Sequence, residues 1–114
     1  MENVAVFSKW AAKTAVGVEI DVVMTEAGTN FLACYGTGAC AQRQLVFNLT
    51  VLGREWFRGP ADEIVDLVIH ELGHEIEGNH LSEKYYRALT MIGGKLFANA
   101  RDAPKLLSSS NRED

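Results

Sequence analysis

The chain has 114 residues, 47% of them apolar and 23% charged, with a net charge of −4 and an isoelectric point near 5.3. That length suits one domain with one core, and that composition excludes wholesale disorder. The acidic balance and the scattered Lys and Arg leave no electrostatic footprint for nucleic acid or for an anionic membrane surface. No apolar run approaches the ~20 residues that span a bilayer. Residues 1–10 lack the basic start and long apolar stretch of a secretory signal, so the expected location is the cytoplasm. There, Cys34 and Cys40, which form no CxxC pair, are expected as free thiols packed as small apolar residues.

In chain order, Val4, Phe7, Trp10, Ala11 and Thr14 recur at helical spacing and predict a helix over residues 3–15, ended by Gly17. Residues 18–25 alternate and are rich in β-branched side chains, which predicts a strand. A turn at 27–30 leads to a second short strand at 31–35. Gly36-Thr37-Gly38 turns again, and residues 44–49 predict a third strand, paired as a hairpin with the second. Residues 52–57 connect it to a helix whose first turn holds Pro60, Asp62 and Glu63, which suit the positive end of a helix. That helix is expected to run to the Gly78-Asn79 break. Ser82 can cap a last helix carrying Tyr85, Tyr86, Leu89, Ile92 and Leu96 to about residue 100. Pro104 and the polar end make residues 104–114 a flexible tail, so the domain is 1–103. The order α-β-β-β-α-α describes an α+β domain, with Trp10, Trp56 and Phe57 in its core.

All three histidines lie within residues 70–80. His70-Glu71-Leu72-Gly73-His74 spells HExxH. On a helix the two histidines share one face a turn apart, so both imidazoles can hold one zinc ion while Glu71 sits beside a metal-bound water as general base. A catalytic zinc takes a third protein ligand. Glu77 fails on distance, because seven residues at ~1.5 Å rise separate it from His70 by about 10 Å along the axis. His80 qualifies if the chain reverses at Gly78-Asn79, and Glu83 on the last helix is the alternative. The His74-to-His80 spacing equals that of the metzincin pattern HExxHxxGxxH. That pattern's glycine falls where this chain has Glu77, however, and the one downstream methionine, Met91, lies in the predicted last helix. Asp66, four residues before His70, is either an outer partner of a ligand imidazole or a solvated carboxylate. Tyr85 and Tyr86 are read either as oxyanion donors or as packing residues.

The runs LVFNLTVLGREWF and DLVIHELGHEIEGNHLSEKYYRALTMIGGKL resemble a zincin-type domain of bacteria and phages. That domain is often joined to an N-terminal GHKL, histidine-kinase-like ATPase part. The resemblance covers about residues 4–100 and implies a minimal zincin-like fold, a three-stranded sheet packed on the HExxH helix between N- and C-terminal helices. It also implies an ATPase-type partner protein. Small stand-alone zincins share this outline, with a sheet edge that pairs with an extended peptide; residues 44–49 are the expected edge strand. The expectation is therefore a zinc-dependent metallopeptidase acting on a peptide or protein, with Glu71 catalytic and His70, His74 and His80 on the metal. The alternatives are a zinc-stabilised, non-catalytic interaction domain and a metal-free fold with a histidine-rich helix.

Overall fold

The computed structural model describes residues 1–26, 28, 30–36, 42–77, 79 and 81–106. Helix α1 spans Glu2–Ala11 and continues as a wider π turn over Ala12–Val16. Its inner face, Val4, Phe7, Ser8 and Ala11, is buried, and the Ser8 hydroxyl is satisfied within the helix by donating to the Val4 carbonyl at 2.7 Å. Gly17 ends the element at φ +78, a left-handed conformation that costs glycine little, and returns its N–H to the Ala12 carbonyl at 2.9 Å.

Strands β1 (Asp21–Thr25), β2 (Ala33–Tyr35) and β3 (Gln44–Asn48) form one sheet in the order β1-β3-β2. The expected hairpin is present: β2 runs antiparallel to β3, with Cys34 opposite Val46. β1 pairs parallel to the other side of β3, with Val23 opposite Val46. This order corrects one expectation. β3 is the central strand, not the edge. Leu45, Val46, Phe47 and Asn48 are all buried in succession, the pattern of a strand covered on both faces rather than of one with a solvent face. The open edge beside the motif belongs to β2.

A one-turn helix α2 (Leu49–Leu52) and a 3₁₀ turn (Arg54–Arg58) lead to α3, Ala61–Leu72, and α4 spans Glu83–Ala98. Ser82 caps α4 as expected, its hydroxyl accepting the Tyr85 N–H at 3.1 Å. The core joins Phe7 and Ala11 of α1, Tyr35, Leu45 and Phe47 of the sheet, Ile64, Val68 and Leu72 of α3 and Ile92 of α4. Phe57 is buried, while Trp10 and Trp56 pack half-buried against the same cluster. Leu106 also packs on it, and its carbonyl accepts from Asn3 Nδ2 at 3.1 Å. The molecule is thus an α+β domain, and no helix among the described residues is long and apolar enough to cross a membrane.

Cys34 is disulfide-bonded, contrary to the expected free thiol. The sequence has one other cysteine, Cys40, which lies outside the described residues. A missing CxxC pair argues only against a redox or metal motif, not against a disulfide.

Candidate metal centre

Helix α3 repeats its buried positions at Ile64, Val68, Glu71 and Leu72. Glu71 therefore occupies the stripe that elsewhere holds core residues, seven positions after Ile64. Its side chain is only 8% exposed, while that of His70, one step around the helix, is 44% exposed. Burial pushes the Glu71 carboxyl up to about 7. Glu71 Oε2 lies 3.9 Å from Nε2 of His70.

The α-helix does not reach residue 77 as expected. It ends at Leu72, and Gly73–Glu75 tighten into a 3₁₀ turn. The cause is packing as well as the low helix propensity of glycine. A Cβ on Gly73 would stand 2.8 Å from Cε1 of Tyr85 and 3.0 Å from Cδ2 of Leu89, so Gly73 is where α4 closes on the motif. The imidazoles of His70 and His74 stay together across this boundary, with ring centres 5.7 Å apart and planes nearly perpendicular.

Tyr85 sits against both. It is 2% exposed, its ring centre is 5.8 Å from His70 and 5.3 Å from His74, and its hydroxyl donates to the His70 carbonyl at 2.6 Å. Burial, then the charges of Glu71 and Asp66, push that hydroxyl up to about 12, so it stays a donor. Of the two readings made for this tyrosine, packing is what the structure supports. Tyr86 is 58% exposed.

His70, Glu71 and His74 open into a cleft of about 450 Å³, walled by Phe31, Leu32, Ala33 and Cys34 at the edge of the sheet. Exposed Asp66 stands on its lip. A larger cleft, about 550 Å³, lies along α1 between Lys9, Lys13 and Arg43 and is lined by none of the motif residues.

Two groups that sequence reasoning missed hold the wall to the motif. Glu75, next to His74, accepts from the Tyr35 hydroxyl at 2.6 Å through one oxygen. Its other oxygen accepts from Nε and Nη2 of Arg43 at 3.2 and 3.1 Å. Burial and this carboxylate raise the Tyr35 hydroxyl. Asn48, fully buried at the end of β3, donates from Nδ2 to the Phe31 carbonyl at 2.9 Å, while Oδ1 caps α2 by accepting from the Thr50 N–H at 3.1 Å. Its backbone N–H donates to the Leu32 carbonyl at 2.9 Å. A polar residue closing an apolar strand was the available signal for Asn48. Glu75 carried none, since its partners lie 40 and 32 positions away.

Glu77, excluded as a ligand on distance, and Glu83, the alternative third ligand, both have partners of their own. Glu77 accepts the Asn79 N–H at 3.2 Å. The side chain of Glu83 is 78% exposed and pairs with Arg87 at 2.8 Å, one turn along α4, and it does not line the cleft. Asn79 turns the chain, its side chain accepting from the Leu81 N–H at 3.0 Å and its carbonyl from the Ser82 N–H at 3.1 Å. His80 lies outside the described residues. Among the described residues no three His, Cys, Asp or Glu side chains group closely enough to hold a metal. The donors that do meet, two imidazoles beside a carboxylate, fit zinc in kind. An ion ~2.0–2.1 Å from each of two imidazole nitrogens sets their ring centres about 5 Å apart, close to the 5.7 Å separation of His70 and His74.

No family model, no curated protein and no solved structure matches this chain.

Proposed function

We propose that this chain is a zinc-dependent metallopeptidase of the HExxH type with a minimal zincin-like fold, in which His70, His74 and His80 hold the ion and Glu71 is the general base. The observation that carries this reading is the cleft in which His70, His74 and the buried carboxylate of Glu71 face the outer side of antiparallel strand β2. When bound, zinc supplies a Lewis acid for the substrate carbonyl and lowers the pKa of its water to about 7.

The chain's own residues do the rest. The outer edge of β2, opposite its pairing with β3, offers backbone groups to an extended peptide, setting its direction across the cleft. Phe31, Leu32 and Leu67 exclude water beside the scissile bond. Glu71 takes a proton from the attacking water as the water oxygen bonds to the carbonyl carbon. It passes that proton to the amide nitrogen as the C–N bond breaks.

Glu71→Gln is expected to keep the zinc and lower hydrolysis of an unfolded protein substrate about 10²–10⁴-fold. Hydrolysis unchanged in that variant would remove Glu71 from the chemistry. The second reading, a zinc-stabilised interaction domain for an ATPase-type partner protein, is favoured by Leu81 and Phe97, apolar side chains 85% and 84% exposed at the two ends of α4. It predicts that chelation lowers the melting temperature while no substrate is cut.

A further inference from the structure

We propose that Tyr85 is a positioning residue for the metal ligands: a hydrogen-bonded post from α4 that fixes the backbone of His70 and the planes of both imidazoles. The proposal rests on the zinc reading above. The last four carbonyls of a helix face a shortage of intrahelical donors, and His70 contributes one of these at the end of α3. The Tyr85 hydroxyl donates to that carbonyl at 2.6 Å. Its ring meets His70 edge-on at 77° and lies over His74 at 36°. One side chain thus touches both ligands, at the point where the helix changes pitch between them.

Tyr85 is itself fixed from three directions. Its backbone N–H is held by Ser82 Oγ at 3.1 Å. Its ring fills the space that Gly73 leaves by having no side chain, and it is 2% exposed. This accounts for two sequence features together, the glycine inside HELGH and the serine three positions before the tyrosine. The hydroxyl is engaged with the backbone, so Tyr85 acts through the histidines and not on a substrate.

The test compares zinc affinity of the wild-type chain, Tyr85→Phe and Ile92→Val, by competition with a chromophoric chelator, together with the visible spectrum of each cobalt form. Ile92 is fully buried on the same helix and serves as a core variant that loosens α4 without touching a histidine. Tyr85→Phe is expected to weaken zinc about 10-fold, the low end for outer partners of metal ligands, and to shift the cobalt bands. Ile92→Val is expected to melt earlier with affinity and spectrum unchanged. Equal affinity and spectrum for Tyr85→Phe and wild type would overturn the proposal alone, as would an equal loss in Ile92→Val. A wild-type chain that takes up no zinc would overturn the zinc reading and the proposal together. If Tyr85→Phe does not fold, Ser82→Ala removes the hydroxyl acceptor from the Tyr85 N–H, which keeps the residue-82 carbonyl at 3.2 Å, and leaves the tyrosine hydroxyl in place. Weaker zinc binding supports the role, and unchanged binding contradicts it.

Discussion

Glu71 and Gly73 lie two positions apart in the motif, and each breaks a rule of ordinary helices. Glu71 puts a carboxylate on a stripe that otherwise buries Ile64, Val68 and Leu72, which is costly unless the charge is used or neutralised. Gly73 gives up helix propensity, worth about 1 kcal/mol relative to alanine, to let the Tyr85 ring approach. Gly73→Ala therefore sets that propensity gain against overpacking. The tyrosine is pinned through its hydroxyl and cannot move aside freely, so the clash wins. The variant is expected to lose about 1–3 kcal/mol, read as a lower urea midpoint. A gain in stability would show that the approach of α4 is not tight. That His70, His74 and Glu71 come together was legible from spacing alone. The tyrosine contact was not, because it joins residues 15 positions apart.

At the level of elements, the cleft wall depends on two polar anchors. Asn48 ties β3 to the segment that presents Phe31 and Leu32, and Glu75 ties the turn after His74 to Tyr35 and Arg43. Asn48→Ala takes the Nδ2 donor from the part-buried Phe31 carbonyl and uncaps the Thr50 N–H, and should cost roughly 2 kcal/mol. Tyr35→Phe removes one hydrogen bond to a carboxylate that keeps Arg43. It should cost about 1–2 kcal/mol, with faster amide exchange in β2 while α3 stays protected. Exchange spread evenly over both elements would contradict a local anchor. The helices, the Ser82 cap and the β2–β3 hairpin followed from periodicity and turn residues. The place of β3 did not, because an apolar run reads the same as an edge with one hidden face or as a centre with two. Pairing with β1 decides it, and that contact joins segments about 20 residues apart in sequence. The helix end was likewise drawn five residues late, since the contact of Gly73 with Tyr85 and Leu89 adds to the low helix propensity of glycine and is not visible from the sequence.

Across the whole molecule, α3 and the sheet edge meet at one cleft and α4 packs on the motif through Tyr85, so the metal reading and the stability of the domain are coupled. A ligand that binds only the folded state raises the melting temperature, and Cys34 adds a covalent restraint at the wall of the same cleft. Cys34→Ser is expected to cost about 2 kcal/mol, the scale for a short closed loop. Unchanged stability would mean the bridge closes a segment already ordered. The expectation of free thiols followed from the expected compartment and the missing CxxC pair, neither of which decides whether a bridge forms. The central claim is that His70 and His74 hold zinc. Elemental analysis of purified wild-type protein beside the His70→Ala/His74→Ala double variant tests it most directly. One zinc per chain in the wild type, lost in the double variant, is the expected result; no zinc in the wild type, or the same content in both, would contradict it.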